Sequence, residues 1–147
     1  ETSRKAGPMM LNRHPGYRAP ILATSLGQVY LAFGPQEERE AVLIQESEKP
    51  DPWNEIARDT AKAITFFDDI RKRGYATMHP DYSRIEYRHS MTSLGVPIMS
   101  DNKVFASINV LYLKKALTQE QAVKAMLKPL QATARQIAQE LERRSEK

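Results

Sequence analysis

The sequence contains no cysteine. Disulfides and cysteine-ligated zinc are therefore excluded, and the compartment that fits is the cytoplasm. No apolar run is long enough to span a bilayer and no signal-peptide pattern opens the chain, so no membrane partner is expected. A block of one charge is missing too. The net charge is +4, but the lysines and arginines are spread along all 147 residues. A nucleic-acid-binding face gathers them, so these residues are not expected to touch DNA themselves. Ser25 lies in Thr-Ser-Leu-Gly, which lacks the glycine pattern of a nucleophile elbow. Ser93 and His89 are close in sequence, but no spacing rule pairs them. His14, His79 and His89 are too scattered for a metal site. Asp68 and Asp69 sit beside basic residues and read as a solvated face. Catalytic residues, metal ligands and cofactors are expected to number none, so the chain reads as a non-enzyme.

What is present is enough for one packed domain, since 41% of the residues are hydrophobic. Residues 91–112 are the most informative stretch. Ser100-Asp101-Asn102-Lys103 supplies turn chemistry between two alternating runs. Leu94, Val96 and Ile98 precede it; Val104, Ala106, Ile108 and Val110 follow it. One face of this hairpin is uniformly apolar and belongs to a core. The other mixes apolar groups with Ser93, Ser107 and Asn109. Such a face suits a cavity with a few placed polar groups. The plainer alternative is that Asn109 bonds neighbouring backbone or that this face meets water.

The remaining elements follow from periodicity and caps. Met9-Met10-Leu11-Asn12 reads as a short strand, His14-Pro15-Gly16 as a turn, and residues 17–22 as extended. A helix opens at Thr24 or Ser25 and runs to Phe33, with Leu26, Val29, Tyr30 and Phe33 at helical spacing. A second runs from Pro35 to about Gln45, with Glu37 and Glu38 in its first turn. Residues 47–54 form a break around Trp53. The next helix spans Thr60–Arg73, with Ala63, Ile64, Phe67 and Ile70 as its stripe. Arg71-Lys72-Arg73 suits its dipole, and Gly74 is its cap. Residues 75–78 read as a strand, and residues 80–90 as a loop or cover. Thr118 and Gln121 form a capping box for a last helix through Leu141, which Pro129 should kink or divide. Its apolar stripe packs on its own sheet or forms a dimer seam. The plan is α+β, an antiparallel sheet with helices packed on it and a ligand pocket on one sheet face.

The helix start at Ser25 carries a further possibility. Its first N–H groups lack partners within the helix, and with the dipole they form a ready anion site. Ser25 as a simple cap is the competing reading.

Taken in order, the pieces resemble a known family. Residues 20–33, Pro-Ile-Leu-Ala-Thr-Ser-Leu-Gly-Gln-Val-Tyr-Leu-Ala-Phe, are similar to the Ala-Ser/Thr-x-Gly-x-x-x-Leu-Ala helix start of the effector domain in IclR-type bacterial transcription regulators. Residues 70–76 resemble the same family's basic helix end and Gly-Tyr strand. Residues 95–98 and 104–108 resemble its paired central strands, and residues 117–141 its closing helix. The resemblance implies one GAF-like effector-binding domain over residues 1–147. It implies a small organic acid as ligand, an aromatic one fitting the apolar walls, and control of a catabolic operon. It also implies an upstream winged helix-turn-helix, outside this chain together with the domain's first helix and strands, through which DNA is bound. A homo-oligomer, dimer or tetramer, is the expected assembly. The chain begins without a methionine, at Glu1-Thr2-Ser3, which fits part of something longer.

The family's ligand contacts correspond to Met9 and Leu11, to Ser25, Leu26 and Gly27, and to Met91, Ser93, Asn109 and Leu111. His79 lies near another such position, and Tyr30 faces the ligand's apolar body. Gly27 is expected to let the ligand come close. The family often has Cys near position 93 and Ser near 109, where this chain has Ser93 and Asn109. A GAF-like structural or dimerisation module without a small ligand is the alternative reading. Residues 1–147 alone are expected to give no sequence-specific band in a DNA gel shift; such a band would overturn the reading of the dispersed charge.

Overall fold

A computed structural model describes residues 16–145. The expected strand with Met9 and Leu11 lies outside the described residues. In chain order the elements are α1 (Ser25–Phe33), α2 (Gln36–Ser47), a 3₁₀ segment (Pro52–Arg58), α3 (Thr60–Arg73), β1 (Ala76–Thr77), α4 (Pro80–Tyr87), β2 (Met91–Ser100), β3 (Lys103–Leu113) and α5 (Gln119–Ser145). The three strands form one antiparallel sheet in the order β1-β2-β3.

The hairpin turn behaves as its residues dictate. Asp101 and Asn102 both take positive φ, +48° and +60°. That pair of left-handed residues matches the twist of the flanking strands. A register shift between Ile98 and Met99 leaves Phe105 without a partner opposite. Phe105 is 62% exposed at this irregularity.

Helices cover both sheet faces. Leu94, Val96 and Ile98 of β2, with Ala106, Ile108 and Val110 of β3, meet α5 through Ala122, Leu130, Ala134 and Ala138. The capping box forms as expected: Gln121 N–H donates to Thr118 Oγ1 at 3.2 Å, and Thr118 N–H to Gln121 Oε1 at 2.9 Å. Pro129 does not divide α5, which is one helix of 27 residues. Pro129 and Ala125 both face solvent, so the carbonyl that loses its donor meets water.

The other face carries α1, which rests on β2 and β3 with α3 behind it. A Cβ at Gly95 would lie 2.9 Å from the Ser25 carbonyl oxygen, so only glycine admits the helix this closely. Val29 and Leu31 of α1 bury against Phe67 and Ile70 of α3, within the largest core cluster. Trp53 and Tyr82 meet edge to face in the same cluster, with centroids 5.4 Å apart.

Several local readings are corrected. Residues 21–23 are a turn rather than extended chain, and residues 52–58 coil into a 3₁₀ segment where a break was expected. Helix α2 continues to Ser47. Residues 80–87 are a helix, not a loop: Pro80 sits at its first position, and His79 caps it. Ile64 does not join the α3 stripe and is 57% exposed. Arg71 stands in the last turn of α3 as expected and also serves a second helix. Its Nη1 donates to the Ala32 carbonyl at 2.8 Å, while Arg39 Nη1 donates to Leu31 at 3.1 Å and Gly34 at 3.5 Å. α1 has no basic residue in its last turn, so these two arginines supply the missing cations.

Gly95→Ala should lower stability by about 1–3 kcal/mol, because the new methyl meets backbone. A urea midpoint equal to wild type would show that α1 can lift from the sheet at no cost.

Candidate functional site

The mixed sheet face is where the polar side chains converge. Alternation in β2 turns Met91, Ser93 and Gly95 toward α1, and the register sets Leu111 opposite Ser93 and Asn109 opposite Gly95. Ser93 and Ser25 are both fully buried, and their hydroxyls lie 2.7 Å apart. Asn109 Nδ2 donates to Ser25 Oγ at 3.3 Å. One helix residue thus joins two neighbouring strands through a small polar cluster. Met91 is buried beside it, and Leu111 packs against the main core.

The first turn of α1 sits directly over this cluster. Thr24 is the cap, its Oγ1 accepting the Gly27 N–H at 3.1 Å. Gln28 N–H donates to the Thr24 carbonyl at 3.1 Å. The N–H groups of Ser25 and Leu26 have no acceptor among the described residues. Gly27 serves a different contact from the expected one. A Cβ there would lie 2.1 Å from the Ile21 carbonyl oxygen, so its bare Cα lets the chain cross itself and offers no open space. Tyr30 lies further along α1, partly buried.

His79 reaches this region through its backbone. Its N–H donates to the Ala23 carbonyl at 2.8 Å, beside the cap of α1. Its ring points the other way in function, since Nδ1 accepts the Asp81 N–H at 3.2 Å and caps α4. Burial pushes the imidazole below its ordinary 6.5, against the pull of Asp81 and Glu55. Ser83 of α4 donates its hydroxyl to the Met91 carbonyl and fixes the start of β2.

Two features went unread in the sequence. Gln28 is buried and donates Nε2 to the Leu22 carbonyl at 2.8 Å, holding the turn before α1. A polar residue on a buried helix face was its only sign. The indole Nε1 of Trp53 and both amide ends of Asn54 are buried without a hydrogen-bond partner among the described residues. Among the described residues no group of His, Cys, Asp or Glu is placed to hold a metal ion. No described helix is long and apolar enough to cross a membrane.

Residues 3–139 match the family model of the bacterial transcriptional regulator IclR C-terminal domain. The chain belongs to the IclR family. Its α+β architecture is the GAF-like fold of IclR C-terminal domains, the effector-binding part of these regulators. The solved IclR of Thermotoga maritima is 26% identical, with a TM-score of 0.68 over 93% of this chain and 52% of that one. A transcriptional regulator of Rhodococcus sp. RHA1 is 28% identical, with a TM-score of 0.69 over 92% of this chain and 53% of that one. This IclR chain therefore spans about half the length of both. The inducer-binding domain of Acinetobacter PobR, solved as a double mutant with 3-hydroxybenzoic acid, is 20% identical. It covers 85% of this chain and 69% of its own, with a TM-score of 0.65, and at that identity it supports the fold alone.

The His79 cap makes this IclR domain sensitive to acid. Folded His79 holds a proton less tightly than the unfolded chain does, so the unfolded state gains protons first as pH falls. The contribution is complete above pH 6.5 and is lost as pH drops through the lower folded value. His79→Asn keeps a capping acceptor and removes the titration. The urea midpoint should therefore fall less for His79→Asn than for wild type between neutral pH and about pH 5. Equal falls would exclude His79 as the source.

Proposed function

We propose that this IclR domain senses a small organic acid, an aromatic one, and that the regulator carrying it controls a catabolic operon. The observation that carries the reading is the convergence of Ser25, Ser93 and Asn109 under the two open N–H groups of α1. A carboxylate buried on an apolar face needs donors, and the N–H groups of Ser25 and Leu26, without an acceptor among the described residues, can supply them. Ser93 and Asn109 add hydrogen bonds from the strands. Met91, Leu111 and Tyr30 wall the apolar body. Gly27 holds the turn in place against Ile21, and His79 braces the cap through Ala23. Methionine adapts to the ligand's outline. DNA contact falls to an upstream winged helix-turn-helix module, and the working regulator is a homo-oligomer in the cytoplasm.

Melting in the presence of hydroxybenzoates tests this reading, with 3-hydroxybenzoate as the first probe. An acid at a hundredfold excess over its dissociation constant should add about 2.7 kcal/mol. Asn109→Leu should lose most of that gain and weaken ligand binding more than it weakens folding, since a ligand partner is removed. The reading falls if no acid of the panel stabilises the chain, or if Asn109→Leu responds as fully as wild type.

A further inference from the structure

An apolar groove lies toward the opposite end of α1 from the Ser25 cluster. It occupies about 490 Å³ between α2 and α3. Leu43, Ala63 and Phe67 line it, and Ile44 and Ile64 stand on its rims, 68% and 57% exposed. Two large apolar side chains in water on adjoining helices mark a surface with something to bind. The two helices run antiparallel. Arg39 and Arg71 both reach the last turn of α1 and so share one end. Arg58 Nε donates to the Ser47 carbonyl at 3.0 Å and joins α2 to the segment before α3 at the other end.

At the arginine end two cations, Arg39 and Arg71, stand near two carboxylates, Glu40 and Asp68. Arg71 is paired with Asp68, and Glu40 accepts from Gln36 at 2.7 Å. Arg39 has no carboxylate partner among the described residues. Its guanidinium lies over the Phe67 ring, 5.7 Å from the centroid, and only Nη1 is engaged with backbone. Nε and Nη2 keep their donors, arranged as a fork that suits a carboxylate. Burial, and then the like charge of Arg71, lower the pKa of Arg39 against the pull of Glu40 and Asp68. An anion at this point would offset that repulsion.

We propose that the α2–α3 groove is a second ligand site, taking an amphiphilic monoanion such as a straight-chain carboxylate. The head pairs with Arg39, and the tail lies between Ile44 and Ile64 over Leu43 and Phe67. From Arg39 to Ser47 the groove follows α2 for about 12 Å, the length of a medium-chain acid rather than of a compact benzoate. Its volume lies inside the usual range for small-ligand pockets, about 300–1,000 Å³. A partner helix would need several complementary charges, whereas the groove offers one cation, Arg39, without an ion pair among the described residues. The inference does not depend on the Ser25 site.

Sodium octanoate is the probe, followed by calorimetry and by amide NMR shifts on the whole chain. Octanoate should move amides of α2 and α3, and uncharged octanol should compete poorly. Arg39→Gln should weaken octanoate by about tenfold or more. Because Arg39 also holds α1, Ile64→Glu is the second variant: it changes an exposed residue and sets a negative charge across the groove, and it should weaken octanoate comparably. Asn109→Leu should leave octanoate binding unchanged, which separates this site from the proposed aromatic-acid site. The proposal is overturned if octanoate does not bind, if its shifts map to α1, β2 and β3, or if Ile64→Glu binds as wild type.

Discussion

The seat of α1 on the sheet is the contact on which the rest of this structure depends. Gly95 admits the helix to within backbone contact of β2, and Gly27 lets the chain cross Ile21 just before it. Neither approach tolerates a side chain. Once α1 is down, Ser25 meets Ser93 and Asn109, and Val29 and Leu31 meet the α3 core. The apolar and polar consequences cannot be separated. Lifting the helix would expose the core and strand three polar groups together.

The two ends of α1 are treated differently. Its C-terminal carbonyls are taken by arginines from two other helices. At its N-terminal end, near a buried hydroxyl pair, two N–H groups have no acceptor among the described residues. A helix favours cations at one end and anions at the other, each worth roughly 0.3–1 kcal/mol at exposed sites. Here the cationic half is already supplied by the fold. The anionic half is the one that remains for a ligand, which is why the proposed carboxylate belongs at Ser25.

Period and punctuation made half of this legible. Alternation in residues 91–112 gave both strands, the Asp101-Asn102 turn gave their register, and Thr118, Gln121 and Gly74 gave helix ends. Helix α4 was not legible, because its support is distant. His79 is held by Ala23, Ser83 bonds the Met91 carbonyl, and Tyr82 packs on Trp53. The contact of Arg71 with α1 was hidden for the same reason: its acceptor lies 39 residues away. Ile64 was misread because it neighbours a true stripe residue, and a step of one turns a side chain well away from the buried face. Ser93 and Asn109 were legible as members of one face. Their meeting with Ser25, across 68 and 84 residues, was not written in any local pattern.

The polar cluster also accounts for why this sheet face is neither solvated nor fully apolar. Three uncharged groups satisfy one another without a buried ion, so the fold carries no charge there that would need a ligand to be stable. An alternative with lysine or arginine on the strands would bind an acid more tightly, yet would bury an unpaired cation whenever the acid left. Neutral donors with open helix N–H groups avoid that cost. They leave the unliganded domain intact and still offer a carboxylate more donors than acceptors. A sensor must persist in both states, and the acid site proposed at Ser25, Ser93 and Asn109 would meet that requirement with side chains that never change charge.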